Sequence, residues 1–426
     1  MPKQSQQSQT CSHPILSYTN SPHAAQVKYQ QPTQERLTAT KPKPSSRLPI
    51  PPTRSDIQNF PAPLVLPGDD LAVEPDPPQD YQKWLGVRNQ ITSRRRTIYV
   101  ASPTIPEEMS ISVWTEPSIK MEAGKHQVPK PQIGLVIDYI TAFYHGLPVK
   151  ELQFPRGGFT PWADDRSKIG LNTQKQCVMI RARPSPDGVY PYQLNLTDLL
   201  DAAVAMLPSD AYALCLLVDH DLFEDEDDVF VCGRAFGGRR VAVVSTARYN
   251  PLLDTLQGVE QDHVWPASHC QDFLESICRA DGRYNKNTTH SQAYDRDPEP
   301  GPLEAAVSAF TTTIDSASII SHLPILWLAR VLRTTSHELG HCFGIGHCVY
   351  YACLMQGSAS LSEDTRQPPY LCPVDLAKLL SNTQTTVVER YAALLDYCER
   401  PEFADSPHFR AYAAWLRISI GGGVIS

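Results

Sequence analysis

Apolar residues recur at helical spacing in four parts of the chain, and we predict a helix in each. The pattern is clearest where Ile133, Val136 and Ile140 repeat every three or four residues. The second segment opens on Asn195, a residue type that commonly caps helix N-termini. The predicted helices cover residues 131–146, 195–208, 268–279 and about 303–342.

Short apolar runs bounded by polar residues predict strands. The run at 212–218 is continuously apolar, which is typical of a strand covered on both faces. A β-branched run at 241–246 follows a glycine-rich stretch. We predict an edge strand there, which could pair with an extended peptide. The remaining strands are predicted within residues 94–102, 148–154 and 176–183.

Residues 1–60 show no apolar period and are rich in Gln, Ser, Thr and Pro, with 15 of the chain's 38 prolines before residue 79. Such a segment cannot bury enough apolar surface to offset the entropy of ordering it. We therefore predict a disordered tail over residues 1–60. The segment holds seven Lys or Arg against two acids, and we favour a solvated tail over a weak contact with an acidic partner or nucleic acid.

Composition excludes several classes of protein. The chain has no basic segment followed by an apolar leader and no apolar run of 18 residues, so we expect no membrane contact and an intracellular location, cytoplasmic or nuclear. Eleven cysteines scattered through 426 residues do not form a disulfide framework, which leaves them as core residues or metal ligands. A formal charge of −8 without a basic aromatic surface argues against nucleic-acid binding. The acidic run at 219–228 is interpreted as a surface loop, not a calcium site.

The chemistry concentrates in the sequence HELGHCFGIGH, residues 337–347. His337 and His341 stand four apart and therefore share one helix face. Glycines at 344 and 346 permit a sharp turn that can bring His347 to the same ion. Glu338 is rotated by about 100° from His337, so it is better placed to hold a water than to bind metal.

Three neutral histidines leave a zinc ion its full charge and an open position, which lowers the pKa of a bound water to about 7. Glu338 would accept the proton of that water during attack on a peptide carbonyl and pass it to the leaving amine. We therefore predict a catalytic Zn²⁺ site that hydrolyses peptides or proteins. Two alternatives remain: hydrolysis of a non-peptide amide or ester, and a silent zinc-bound interaction protein, which would be expected to have lost Glu338 or a ligand histidine.

The sequence HELGHCFGIGHCVYYACLM, followed by YLCPVD, resembles the archaemetzincins, zinc metallopeptidases of the metzincin group. AFYHGLPV, GGRRVAVVSTARY and FPAPLVLPGDDL extend the likeness toward the N-terminus. The resemblance implies an α/β (α+β) metzincin-like fold, with a twisted mixed sheet, an active-site helix and a small irregular C-terminal subdomain from about residue 344. It further implies aminopeptidase-like action on short peptides. We expect a monomer, with an N-terminal extension over 61–130 packed on the core, a catalytic domain over 131–400 and a C-terminal tail over 401–426.

Carried over by position, the resemblance assigns the catalytic zinc to His337, His341 and His347, and the general base to Glu338. It makes Met355 the Met-turn methionine beneath the metal. Substrate would pair with the strand that contains Val241, Ala242, Val243 and Val244.

A second, structural zinc is implied by the positions of Cys348, Cys353, Cys372 and Asp375. The fourth family cysteine is an aspartate here, and a carboxylate is an accepted zinc ligand. Cys372 and the following proline also look like the start of a helix, where an acid in the first turn is favoured by the helix dipole without any metal. Cys342 is interpreted as a core thiol and not as a substitute ligand.

Overall fold

The structure, a computed structural model, describes residue 11 and residues 13–29, 31–32, 60–105, 109–118, 128–154, 158–163, 165–280, 300–310 and 319–421. The helices in these ranges are α1 (Pro22–Gln26), α2 (Asp70–Val73), α3 (Tyr81–Val87), α4 (Ile133–Phe143), α5 (Leu196–Met206), α6 (Asp254–Gln257), α7 (Gln271–Ala280), α8 (Pro302–Phe310), α9 (Ile319–Cys342), α10 (Leu361–Arg366), α11 (Pro373–Thr383), α12 (Val387–Cys398) and α13 (Pro407–Gly421). The strands are β1 (Thr97–Ala101), β2 (Val149–Glu151), β3 (Phe159–Pro161), β4 (Lys168–Asn172), β5 (Cys177–Pro184), β6 (Tyr192–Asn195), β7 (Ala211–Val218), β8 (Asp221–Phe223), β9 (Gly233–Phe236) and β10 (Val241–Ser245).

Most helices predicted from the apolar period are present. Helices α4, α5 and α7 lie where periodicity places them, and the Asn195 side chain accepts a hydrogen bond from the Asp198 amide at the start of α5. The long segment predicted from 303 contains α8 and α9, and residues 311–318 lie outside the described part. None of the helices described is both long and apolar enough to cross a membrane.

A five-stranded mixed sheet in the order β2-β1-β7-β10-β9 forms the centre of the fold. All residues of β7 are buried, which confirms that this strand is covered on both faces. Cys215 and Leu217 face a core that includes α9, whereas Leu214 and Leu216 face a core that includes α5. The sheet thus has a helix layer on each side, and the predicted mixed α/β class is confirmed. In a second sheet, β3-β4-β5-β6-β8, strand β5 matches the strand predicted at 176–183, and the other four strands were not predicted.

The prediction of a sheet edge at 241–246 is wrong. Strand β10 pairs with β7 in parallel and with β9 antiparallel, so the strand of Val241, Ala242, Val243 and Val244 is internal and all four residues are fully buried. Strand β9 forms the edge instead, with no strand partner on its outer side among the described residues. A continuous apolar run requires cover on both faces, and that requirement applies to β10 as it does to β7.

Part of the segment predicted to be a disordered tail is packed on the body. Ser21 caps α1 by accepting from the Ala24 amide, and Ala24 lies in a buried cluster with Val65, Leu71 and Val349. The Tyr29 hydroxyl donates to the Val349 carbonyl at 2.5 Å. The prediction is therefore wrong for residues 13–29, where a few apolar side chains suffice once the body supplies the rest of the core. Residues 1–10 and 33–59 lie outside the described residues.

The acidic run at 219–228 is not wholly a surface loop. Asp221 is fully buried in β8 and accepts hydrogen bonds from the Arg248 guanidinium at 2.5 and 2.9 Å. Arg248 also pairs with Asp187 at 2.7 Å. A buried carboxylate needs such a partner to offset its lost hydration, and the distant Arg248 supplies it.

The C-terminal segment predicted to be a tail contributes to the core through α13. The Trp415 ring stacks on Tyr370 with centroids 4.3 Å apart and also contacts Phe60 and Tyr391 at ring edges. Its residual exposure is 1%. Residues 407–421 are thus part of the globular unit, and residues 422–426 lie outside the described part.

Replacing Trp415 by alanine should lower the free energy of unfolding by about 3–5 kcal/mol, because it removes a buried aromatic side chain and leaves a cavity. Urea unfolding followed by circular dichroism measures the change. Val388→Ala is the matched control, since that α12 side chain is 54% exposed. Equal midpoints for the two variants would show that α13 is peripheral.

Candidate metal centre

Helix α9 carries the HELGH sequence and is fixed at several points along its length. The Trp327 indole donates to the Thr246 carbonyl at 2.7 Å, which ties the helix to the end of β10. The Arg330 guanidinium forms a bidentate pair with Asp254 at 2.7 and 2.8 Å. The metal-binding part of the helix therefore stands on a rigid support, as a preorganised site requires.

The chain reverses directly after α9, at Gly344. This residue has φ of +77°, and a Cβ here would lie 2.9 Å from the Arg88 Cα. Glycine is thus required both by conformation and by space. The Trp84 indole donates to the Phe343 carbonyl at 3.0 Å, and the Gln79 amide donates to the Gly344 carbonyl at 3.1 Å. These donors satisfy carbonyls that the end of the helix leaves unpaired.

The turn brings the three predicted histidines together. Their ligand atoms lie within 4.8 Å of one another, and the Nε2 atoms of His337 and His341 are 3.1 Å apart. Tetrahedral zinc with nitrogen ligands at about 2.0–2.1 Å holds two such atoms about 3.3 Å apart. The spacing of the imidazoles therefore fits one zinc ion.

Each imidazole is held by a hydrogen bond at its other nitrogen. Nδ1 of His337 donates to the Leu354 carbonyl at 2.7 Å, and Nδ1 of His341 donates to the Ile345 carbonyl at 2.8 Å. Nδ1 of His347 lies 2.7 Å from a carboxylate oxygen of Asp76. These contacts place the proton on Nδ1 and leave each Nε2 as an unprotonated ligand.

The electrostatics of the cluster agree with neutral imidazoles. Burial, reinforced by the two neighbouring histidines, holds the pKa of His337 well below its usual value. Burial and His347 lower the pKa of His341 to about 4. Converging unprotonated nitrogens repel one another unless a cation lies between them, so the residues present fit a zinc ion.

Glu338 lies beside this cluster and is 8% exposed. Burial raises the pKa of Glu338 to about 8; Arg234 opposes this effect and Asp364 adds to it. A cation bound at the histidines would favour the carboxylate form. Glu338 thus lines the same cleft as the three histidines, and it is not a member of the converging donor set.

The histidines open into a cleft of about 700 Å³. Residues 230–235 line one wall, which places edge strand β9 along the cleft. Other walls come from the α9 face that carries Arg333 and from α10, which carries Asp364. The volume lies within the range of pockets that enclose small ligands.

Met355 packs beneath the α9 face that carries the histidines. A Cβ added at Gly340 would lie 2.5 Å from the Met355 sulfur, so the two residues are in close contact. The Met355 carbonyl accepts a hydrogen bond from the Cys348 amide at 2.7 Å. The methionine is fully buried and follows Cys353, a member of the second candidate metal cluster, by two positions.

A second cluster contains Cys348, Cys353, Cys372 and Asp375, all buried and with ligand atoms within 4.8 Å of one another. The Cys348 and Cys372 sulfurs are 3.5 Å apart, and the Cys353 sulfur lies 3.3 Å from Oδ2 of Asp375. Cys372 occupies the N-cap position of α11 and Pro373 is the first residue of that helix, as the sequence predicts. Cys342 is buried and lies outside this cluster.

The other carboxylate oxygen of Asp375 pairs with Lys378. The Nζ–Oδ1 distance is 2.7 Å, and both side chains are at most 2% exposed. Burial, together with Cys348, raises the pKa of Asp375 to about 7, and Lys378 opposes that rise. The aspartate thus directs one oxygen to the sulfurs and the other to a buried cation. An acid placed only by the helix dipole would not require this arrangement.

Asp76 and Gln79, which hold His347 and the turn at Gly344, could not be predicted from the sequence because they belong to no motif. Asp76 is 271 residues from its partner His347. Lys378 follows Asp375 by three positions on a helix, and that spacing could have identified it.

Comparisons with known proteins show that the chain is similar to archaemetzincins. The family model described as Peptidase family M54 matches residues 313–380. Archaemetzincin-2 of Pongo abelii is 27% identical over 349 residues, covering 82% of this chain and 76% of that protein. Archaemetzincin-2 of Homo sapiens is 26% identical over 349 residues, which likewise cover 82% of this chain and 76% of that protein. A crystal structure of archaemetzincin from Methanopyrus kandleri is 18% identical, covers 69% of this chain and 98% of that one, and has a TM-score of 0.34.

The sequence matches extend well beyond the metal-binding motif, into the N-terminal strands and helices. They coincide with a site whose histidines and glutamate are all present. These matches support the archaemetzincin family of zinc-dependent metallopeptidases as the family that this chain resembles.

Proposed function

We propose that His337, His341 and His347 hold the catalytic zinc, that Glu338 is the general base, and that the substrate is a short peptide cleaved in an aminopeptidase-like manner. The observation that carries the proposal is the convergence of the three imidazoles, each of which has its Nδ1 atom held by a carbonyl or carboxylate oxygen. A zinc ion bound there supplies a Lewis acid and lowers the pKa of a coordinated water to about 7.

Glu338 moves the proton in this proposal. Its side chain lines the cleft next to two ligand histidines, and in the ionised form it accepts the proton of the attacking water. Protonated Glu338 then donates to the nitrogen of the leaving amine. Burial favours the protonated carboxyl at that stage, since it raises the pKa of Glu338.

The edge of β9 is the proposed substrate-binding strand, in place of residues 241–244. Gly233, Arg234 and Ala235 line the cleft, and their outer edge has no strand partner among the described residues. A peptide in extended conformation can add to such an edge through backbone hydrogen bonds. Strand β10 cannot do this because β7 and β9 occupy both of its sides.

A short peptide with a free amino terminus suits the cleft. Its volume of about 700 Å³ accommodates a few residues, and the Asp76 and Asp364 carboxylates lie in its walls. Carboxylates form strong charge-assisted hydrogen bonds with ammonium groups. Paired peptides with free and acetylated amino termini test the cleavage mode; cleavage of both at equal rates would contradict the aminopeptidase-like part of the proposal.

We also propose a structural zinc held by Cys348, Cys353, Cys372 and Asp375. The distances of 3.3–3.6 Å between ligand atoms are close to the spacing of about 3.6–3.8 Å that sulfur and oxygen ligands have around a tetrahedral zinc. Lys378 supports the assignment because it offsets part of the negative charge that three thiolates and a carboxylate bring to a buried site.

Asp76→Asn should weaken binding of the catalytic zinc about 10–100-fold, because a neutral amide holds the Nδ1 proton of His347 less firmly. Competition with a chromophoric chelator measures the affinity. Glu74→Gln removes an exposed neighbouring charge and should leave the affinity unchanged. If both variants lose affinity equally, the general acidity of the segment is responsible and not the contact with His347.

Glu338→Gln should lower kcat/KM on a peptide substrate by about 10²–10⁴-fold while zinc remains bound, because the variant keeps the ligands and loses the base. Peptide hydrolysis and metal analysis on the same sample measure both quantities. Glu402→Gln, at an exposed position, is the control. Retained activity in metal-loaded Glu338→Gln would refute the mechanism.

Cys372→Ser should reduce the zinc content by one equivalent per chain and leave zinc at the histidines, because the two clusters share no ligand. Metal analysis after gel filtration measures the content. Cys398→Ser changes a buried thiol outside the clusters and should retain all the zinc. Equal zinc content in both variants would remove the structural site from the proposal.

A further inference from the structure

A third group of metal-ligand side chains lies outside the cleft, where the N-terminal segment meets the turn before α7. The ligand atoms of Cys11, His13 and His263 lie within 4.8 Å of one another. The Cys11 sulfur is 3.4 Å from the sulfur of Cys270. Cys270 is not a member of that group of three, but its contact with Cys11 brings a second thiol to the same junction. The residues come from chain positions more than 240 residues apart.

Backbone hydrogen bonds hold these two segments side by side. The Ser17 amide donates to the His269 carbonyl at 2.8 Å, and the Gln271 amide donates to the Ile15 carbonyl at 3.0 Å. Leu16 and Cys270 form an antiparallel bridge between them. The cluster therefore lies at a defined junction and does not depend on a chance approach of exposed side chains.

The imidazoles present unpaired nitrogens to the cluster. Nδ1 of His263 lies 2.6 Å from a Glu260 carboxylate oxygen, which leaves Nε2 buried without a hydrogen-bond partner among the described residues. His13 is 8% exposed, and neither of its ring nitrogens has a partner there. A carboxylate on one nitrogen of a histidine and a metal on the other is a common arrangement in zinc sites.

The separation of the sulfurs distinguishes a metal site from a disulfide. Sulfurs bound to one tetrahedral zinc at about 2.3 Å lie about 3.8 Å apart. A disulfide requires about 2.0 Å. The observed 3.4 Å is closer to the value for the metal site.

We propose that Cys11, His13, His263 and Cys270 form a tetrahedral zinc site that fastens the N-terminal segment to the body of the protein. Two thiolates neutralise the divalent ion and two neutral imidazoles complete the coordination, so the occupied site carries no net charge. Such a set suits a largely buried position, and four protein ligands leave no open position for catalysis. The site shares no residue with the two clusters described above.

Zinc content of the purified full-length chain tests this proposal. Cys11→Ser and His263→Gln should each lower the content by one equivalent per chain. The double variant Cys11→Ser/Cys372→Ser should lose two, because the sites are independent. Cys177→Ser changes an exposed cysteine outside every cluster and should bind as much zinc as the unmodified chain. Because Cys11 is only partly buried, its serine variant should fold, which circular dichroism checks.

Cobalt provides a second measurement. In the Cys372→Ser background, tetrahedral cobalt with thiolate ligands should show absorption bands that Cys11→Ser removes, whereas the three-histidine site contributes no thiolate band. Equal zinc content and equal cobalt spectra with and without Cys11 would overturn the proposal. A Cys11–Cys270 disulfide found by non-reducing peptide mapping of the zinc-loaded protein would also overturn it. Loss of peptidase activity in Glu338 variants has no bearing on this outcome, so the two proposals fail separately.

Discussion

The reversal of the chain after α9 is the constraint on which the histidine cluster and the Cys348 cluster both depend. Gln79 supplies two of the hydrogen bonds that hold this turn. The Gln79 amide donates to the Gly344 carbonyl at 3.1 Å, and its oxygen accepts from the Gly346 amide at 3.0 Å. Lys378, the partner of Asp375, donates to the same side-chain oxygen at 3.0 Å and to the Gln79 carbonyl at 2.7 Å. Gln79 therefore fixes the turn that places His347 beside the other two histidines. It also orients the Lys378 ammonium group, which pairs with Asp375 of the cysteine cluster.

Residues 76–89 are consequently part of the structure around the histidine cluster. A helix leaves its last carbonyls without partners inside the helix, and a buried carbonyl without a partner is destabilising. Asn89 donates to the Cys342 carbonyl at 2.9 Å and Trp84 to the Phe343 carbonyl at 3.0 Å, which completes the end of α9. The same segment supplies Asp76 to His347. The geometry of the histidine cluster thus depends on contacts that join residues 76–89 to residues 342–347.

The sequence predicts the parts of this structure that local patterns encode. Helices α4 and α5 follow from their apolar period, strand β7 follows from its continuous apolar run, and the three histidines follow from the spacing of one motif. Strand β9 could not be found in this way, because the residues of GRAF lack the β-branched side chains that signal a strand. Asp76 and Gln79 could not be found either, since a hydrogen bond across 271 residues leaves no local signature. The prediction of a sheet edge at 241–244 was wrong for a different reason. The apolar run of β10, like that of β7, is typical of a strand covered on both faces, and β10 is an internal strand.

The chemistry of the ligands separates the roles of the three clusters. Three neutral imidazoles leave a divalent ion its full charge, and only such a site remains strongly electrophilic. Three thiolates and a carboxylate outweigh the charge of the ion, and Lys378, buried beside Asp375, offsets part of that excess. Two thiolates with two imidazoles balance the ion and require no counter-charge, and at the Cys11 cluster the Glu260 carboxylate instead orients one imidazole. Of these three ligand sets in the described residues, the histidines therefore have the charge arrangement suited to catalysis, and the other two are suited to holding the chain together.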